Sequence, residues 1–368
     1  MARSLRARPD RPDAPELVWL GGHRGLEAEL VSDAGIRVRR LALRSLRTVD
    51  RSIHTVLDPL RLALSVPQAT AILLRERPAA ILTTGGYVSV AVVLAAAPLR
   101  IPVVLWEGNA IPGRSVRAIA RLADALAVSY EAAGRALARA GVPTYVTGTP
   151  IRDVSAITRA AARERLDLPP DVPTVLIFGG SQAVRRFNAA VAEALPRLVE
   201  RVHVLHVTGD SAYAAALIAR EQLPSEIRGR YRPYPFLRDD MLAALVATDL
   251  VVGRAGSSTV AEVTALGIPS VIVPYPHAAG HQGANAEILA AAGAARIVAD
   301  EAFDADALVA ATDLLFDTAG RAAMADAARG FGRPGAADAI AALVLALAAR
   351  KPLPTPEAID AIARGAGR

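Results

Sequence analysis

The chain reads as an α/β protein made of two doubly wound parallel-sheet domains (Rossmann-like) facing a cleft. Three observations predict this. Short β-branched runs alternate with longer Ala- and Leu-rich runs along the chain, and strands separated by helices pair in parallel. At 368 residues the chain is long enough for two domains of ordinary size. Gly-containing turns close predicted strands in both halves, at the strand edge where open parallel sheets gather ligands.

Taken in order, the first set of predicted strands is Glu16–Leu20, Ile36–Arg40, Ala80–Thr83, Pro102–Trp106 and Ala125–Ser129. The second set is Thr174–Phe178, His203–Val207, Asp249–Gly253, Ser270–Pro274 and Ala295–Val298. Helical runs separate most of them. The Pro- and Gly-rich stretch Gly141–Pro170 is the expected boundary. The expected division is 1–150, 151–333, and a C-terminal helix with tail over 334–368, the helix packing back on the first domain. The apolar runs Tyr87–Pro98 and Ala336–Ala349 are too short to cross a bilayer and predict buried helices.

The chain has no cysteine, which excludes disulfides and thiolate metal sites. Lys351 is the only lysine, so the net charge of +6 is almost wholly arginine. Residues 1–150 hold 20 arginines against 12 acids, whereas 151–368 hold 22 basic against 24 acidic residues. A basic first half beside a near-neutral second half suits an anionic membrane surface or a lipid phosphate on the first half. Leu57–Arg77, where Leu, Ile and Val mix with Arg61, Arg75 and Arg77, has the make-up of an interfacial helix. Aromatic residues are only 4%, and no stacking motif favours nucleic acid. The first ten residues are polar and carry no apolar signal core.

Four turns carry chemistry: Thr83–Ser89, Trp106–Gly113, Phe178–Gln182 and Gly253–Glu262. The last is the most informative. An apolar strand ends in Gly253-Arg254-Ala255-Gly256-Ser257-Ser258-Thr259 and a helix opens directly after it. Its first amides have no intrahelical acceptor, and the helix dipole is positive there, which makes an anion site. Glu262 lies one turn on, where a carboxylate suits a ribose diol, while Thr259-x-x-Glu262 also fits a capping box. Amides further on, Gln282 and Asn285, suit neutral sugar hydroxyls because each offers donor and acceptor. Together these features suit a nucleotide diphosphate sugar. His277 and His281 flank the region as loop residues. Asp304-x-Asp306 resembles a metal pair but falls at an expected helix start, and no metal site is expected.

These turns resemble the MurG family of bacterial cell-wall glycosyltransferases, from about Leu17 to Val298. The motifs that carry the resemblance are Gly-Gly-Tyr-Val-Ser at Gly85, Glu107-x-Asn109 to Gly113, Gly148-x-Pro150-x-Arg152, Gly179-Gly180-Ser181-Gln182, Arg254-x-Gly256-x-x-Thr259, and His277-x-x-x-x-Gln282-x-x-Asn285. The resemblance implies the GT-B architecture, with UDP-N-acetylglucosamine (UDP-GlcNAc) held by the second domain. The first domain would meet undecaprenyl-pyrophosphoryl-MurNAc-pentapeptide at the cytoplasmic face of the cell membrane, as a peripheral protein. It implies ribose recognition by Glu262 and diphosphate recognition by Gly180, Ser181 and Ser257, Ser258 and Thr259. Arg152 would lie near the leaving group. Backbone at Arg238 would read the uracil, Gln282 and Asn285 the sugar, Asn109 the donor sugar from the first domain, and Tyr87 the acceptor. No cofactor is implied.

Three departures from the family pattern stand out. The family's opening strand and Gly-Gly-His loop have no counterpart, so Met1 aligns inside the first helix and about twenty residues are expected to be missing. His23 imitates that motif but continues the family's second segment. Glu107 is then the cleft carboxylate nominated as a substitute base. Ala183 and Ala91 replace family glycine and proline. The alternatives are a related GT-B glycolipid transferase, a UDP-GlcNAc 2-epimerase, and a donor-binding pseudoenzyme.

Overall fold

The computed structural model describes residues 2–6, 15–22, 31–32, 34–42, 54–179, 184–237, 240–278 and 280–365. His23, Gly180, Ser181 and Arg238 lie outside them. The chain divides into two compact units: Met1–Thr149 with Gly335–Arg368, and Pro150–Pro334.

In the first unit β1 (Val18–Gly21) pairs in parallel with β2 (Arg37–Arg40). A four-stranded parallel sheet runs in the order β3 (Ile81–Thr83), β4 (Val103–Glu107), β5 (Ala125–Val128), β6 (Thr144–Val146). Alternation sends the side chains of this sheet to two cores. Val103, Leu105, Leu126 and Val128 pack with the helices His54–Glu76 and Gly86–Ala96. Val104, Ala125, Ala127 and Tyr145 pack on the opposite face with Ala336–Ala348 and Pro356–Ala363. A sheet covered on both faces needs apolar residues throughout, and β5, Ala-Leu-Ala-Val, is buried along its whole length. Gly335, where the chain re-enters this unit, has no room for a side chain, because an added Cβ would run into the Ile362 carbonyl.

The second unit holds six parallel strands in the order β12 (Arg296–Ile297), β11 (Ser270–Ile272), β10 (Leu250–Gly253), β7 (Thr174–Phe178), β8 (His203–Val207), β9 (Tyr231–Tyr234). Renumbered within the unit this is the 6-5-4-1-2-3 order of a doubly wound fold, which reverses between β7 and β10. Val175, Ile177, Val204 and Val252 face one core with the helix Val184–Val199. Leu176, Phe178, Leu205 and Val251 face the other, toward Met241–Ala247 and Ser257–Leu266.

Ten strands were expected, and each has its counterpart; β6 and β9 were not foreseen. β6 is three residues between Pro143 and Gly148. β9 carries Arg232 and Pro233, and proline belongs on an edge strand, where β9 lies. Ser270–Pro274 shortens to Ser270–Ile272. Among the described residues one stretch, Thr318–Ala348, is long and apolar enough to cross a membrane. It is two helices, Thr318–Phe331 and Ala336–Ala348, broken over residues 332–335 and belonging to different units.

Candidate functional site

In the second unit the fold brings two strand ends together at its switch point. Phe178 of β7 and Gly253 of β10 are register partners, so the chain leaving each strand emerges side by side. The helix after β10 begins at Ser257 with Gly256 as N-cap, a residue with no side chain to fold back over the helix end. The first intrahelical bond runs from Val260 N–H to the Gly256 carbonyl, at 3.0 Å. The amides of Ser257, Ser258 and Thr259 therefore precede the helical ladder and lie at its positive end.

Glu262 is 7% exposed. It does not close a capping box, because the N-cap falls on Gly256. Its Oε1 instead lies 2.9 Å from Nε of Arg152, whose side chain is 43% exposed. Burial raises the carboxyl pKa and the Arg152 charge opposes that rise. The two groups that the resemblance assigned to ribose and diphosphate are thus in direct contact.

Around them the turn is held by residues whose roles the sequence did not reveal. Arg254 is buried, and its Nη1 donates to the Val273 carbonyl at 3.1 Å and to a carboxylate oxygen of Asp300. Its guanidinium also stacks over Phe187 at 4.8 Å and Tyr275 at 5.3 Å. This ties the end of β10 to the end of β11 and to the 300 loop; the only signal was an arginine directly after a strand-ending glycine. Gln282 accepts the Tyr275 N–H through Oε1 at 3.0 Å, which leaves its NH₂ end as the donor side. Asn285 is fully buried and donates to the Ala255 carbonyl at 3.2 Å. This bond braces the turn from within, beside the sugar role that the resemblance implies for Asn285.

In the first unit Gly85 has φ 82° and ψ −169°, a region open to glycine, and the helix Gly86–Ala96 starts on it. Gly86 N–H donates to Ser115 Oγ at 3.0 Å, and Tyr87 in the first turn is 37% exposed. Glu107 ends β4 and is 5% exposed. Its Oε1 accepts from Asn109 N–H at 2.9 Å and Nδ2 at 3.2 Å, and its Oε2 accepts from Gly113 N–H at 2.8 Å. The nominated base is therefore the clamp that shapes the 107–113 turn, and Asn109 is one of the groups it holds. Asp304 caps a helix by accepting Ala307 N–H, and Asp306 pairs with Arg197. Among the described residues no group of three or more His, Asp or Glu is placed to hold a metal.

Residues 11–128 match the glycosyltransferase family 28 N-terminal domain, and residues 174–340 match its C-terminal domain. A UDP-N-acetylglucosamine–N-acetylmuramyl-(pentapeptide) pyrophosphoryl-undecaprenol N-acetylglucosamine transferase of Lactiplantibacillus plantarum is 36% identical over 334 residues, 89% of each chain. The enzyme of the same name from Moorella thermoacetica is 38% identical over 94% of this chain and 93% of its own. The chain belongs to glycosyltransferase family 28, with MurG. Among solved structures, MurG of Acinetobacter baumannii is 28% identical with a TM-score of 0.70, covering 90% of this chain and 91% of that one. A putative UDP-N-acetylglucosamine 2-epimerase from Listeria monocytogenes has a TM-score of 0.69 at 17% identity, a likeness of fold. The fold is the two-domain GT-B-like fold of the family 28 transferases.

Proposed function

We propose that the chain is an inverting N-acetylglucosaminyltransferase of peptidoglycan synthesis, moving N-acetylglucosamine from UDP-GlcNAc to the 4-hydroxyl of lipid-linked MurNAc-pentapeptide (lipid I to lipid II). The observation that carries this is the switch-point site. It sets a helix N-terminus, a buried carboxylate and an arginine in one place, within a chain 36% identical to transferases of that name.

In the reaction the acceptor oxygen bonds to the anomeric carbon from the face opposite UDP. The bond to the diphosphate oxygen breaks and its electron pair leaves with UDP. The helix-end amides of Ser257–Thr259 and the Arg152 guanidinium receive that charge, which needs no metal ion. Glu262 binds the ribose diol, and the NH₂ of Gln282 donates to the sugar. The acceptor proton must pass to a base, a role for which Glu107 is poorly placed, since both its oxygens already hold the 107–113 turn.

On the first unit Leu64, Pro67, Ala71 and Leu74 recur at helical spacing on one exposed stripe of His54–Glu76, with exposed Arg75 and Arg77 at its end. Leu94 is exposed on the adjoining helix. An apolar stripe ending in arginines suits the surface of an anionic bilayer carrying the lipid acceptor.

The test is UDP release from UDP-GlcNAc with and without a lipid-linked MurNAc-pentapeptide. Release that requires the acceptor and yields a disaccharide product supports the proposal. Consumption of UDP-GlcNAc without acceptor would make the chain an epimerase. Flotation with anionic vesicles checks the membrane surface, and protein left in solution would refute it.

A further inference from the structure

Arg152 and Glu262 are assigned by resemblance to different parts of a nucleotide, yet they touch each other, at 2.9 Å between Nε and Oε1. The contact is asymmetric. The carboxylate is buried on the inner part of its helix, while the guanidinium is nearly half exposed. An arginine fork held through Nε keeps further donors on its terminal nitrogens, and a carboxylate has a second oxygen to offer. One guanidinium can therefore face the carboxylate on one edge and an anion on the other. Resting on the nucleotide-sugar reading above, we infer that Arg152 is the positioning residue for ribose recognition: it holds Glu262 ionised and in one orientation, and joins the ribose subsite to the diphosphate subsite so that the two act as a unit.

The physical reason lies in what burial does to a lone carboxylate. Out of water the charged form is disfavoured, and a protonated carboxyl presents a donor where a diol needs two acceptors. Hydrogen bonds to an ionised carboxylate are roughly twice as strong as neutral ones. Burial raises the Glu262 pKa, and Arg152 is the charged group that opposes the rise, both by its charge and by its hydrogen bond. The elements packed against the Glu262 helix bring other charged or titratable groups: His281 and Glu287 from His281–Ala291, and Arg321, Asp326 and Arg329 from Thr318–Phe331. Arg152 is the charged group that makes the direct contact with Glu262. Removing the Arg152 charge therefore leaves the carboxyl to its burial, and it protonates at a higher pH than in the native protein.

The Arg152 side chain is nearly half exposed, and Glu262 can take up a proton once its partner is gone, so Arg152→Gln is expected to fold. The experiment titrates full-length wild type, R152Q, R152K, E262Q and the R152Q/E262Q double variant with uridine and with UDP, by ligand-observed NMR between pH 5.5 and 8. Uridine has the ribose but no phosphate, so it isolates the ribose subsite. We expect R152Q to weaken uridine roughly three- to tenfold, with the loss growing as pH falls through a range where wild type is flat. R152K, which keeps the charge, restores the flat profile. The double variant binds uridine no worse than E262Q, because Arg152 acts there through Glu262. If R152Q weakens UDP but leaves uridine unchanged and pH-independent, Arg152 serves the phosphates alone and the inference is overturned. If wild type binds neither ligand, the nucleotide reading itself fails, a distinguishable result.

Discussion

His206 makes the second unit sensitive to acid, and the size of the effect follows from its surroundings. It lies on β8, in register with Ile177 of β7 and Pro233 of β9, and is 2% exposed. Its Nδ1 meets the Tyr231 hydroxyl at 2.9 Å, and its Nε2 is buried without a partner among the described residues. Burial pushes its pKa down from 6.5 to about 3. The folded state thus favours the neutral ring, while the unfolded chain takes up a proton below pH 6.5. The stability it supports is complete above that pH and is lost as pH falls toward 3. At pH 4.5 the difference is about two pH units of proton affinity, or on the order of 3 kcal/mol. His203 on the same strand, pushed down to about 4 by burial and nearby arginines, acts in the same direction. The assay is hydrogen exchange of the β7–β9 amides at pH 7 and 4.5, corrected for intrinsic rates, in wild type and H206Q. Glutamine keeps a hydrogen-bonding group toward Tyr231 but cannot titrate. Wild type should lose on the order of 3 kcal/mol more than H206Q over this interval. Equal losses, or an NMR titration placing the His206 pKa near 6.5, would refute the reasoning.

Two further predictions follow from the turns. E107A removes the three hydrogen bonds that shape the 107–113 turn, and should destabilise the first unit by about 2 kcal/mol. Trp19 and Trp106 both belong to that unit, so tryptophan fluorescence during urea unfolding reads it; an unchanged midpoint would count against the clamp. R254M breaks a buried ion pair and should cost the second unit about 3 kcal/mol, toward the lower end because Arg186 still neutralises Asp300 at 3.3 Å. Hydrogen exchange at β10 and β11 reads this, and a loss below about 1 kcal/mol would show that Arg254 is not the tie between those strands.

The strand pattern of this fold was legible because the central strands of the two larger sheets are buried on both faces, which forces β-branched runs such as Thr174–Phe178. What escaped notice were elements whose sequences follow position more than pattern. Tyr231–Tyr234 is a strand because it pairs with β8 at an edge, and its Pro233 disguises it. At the site, the Gly-Ser turn was readable as a helix start. The partner of Glu262 was not, because Arg152 lies 110 residues earlier and only the fold joins them. Glu107 shows the reverse failure. An acid near a ligand turn suggested proton transfer, whereas its spacing to Asn109 and Gly113 fits a carboxylate wrapped by its own loop. The bond from Asn285 to the Ala255 carbonyl was not readable, since an amide on a helix gives no sequence sign of which backbone group it meets.

The account depends on nucleotide binding at the β7–β10 switch point through backbone amides, Glu262 and Arg152, without a divalent ion. Calorimetric titration of the full chain with UDP in excess EDTA tests it most directly. It should show one site per chain with Kd in the range of about 1 μM to 1 mM, where enzyme–substrate affinities usually fall, and the value should not change when magnesium replaces EDTA. No binding heat at millimolar UDP, or binding that appears only with the metal, would contradict it.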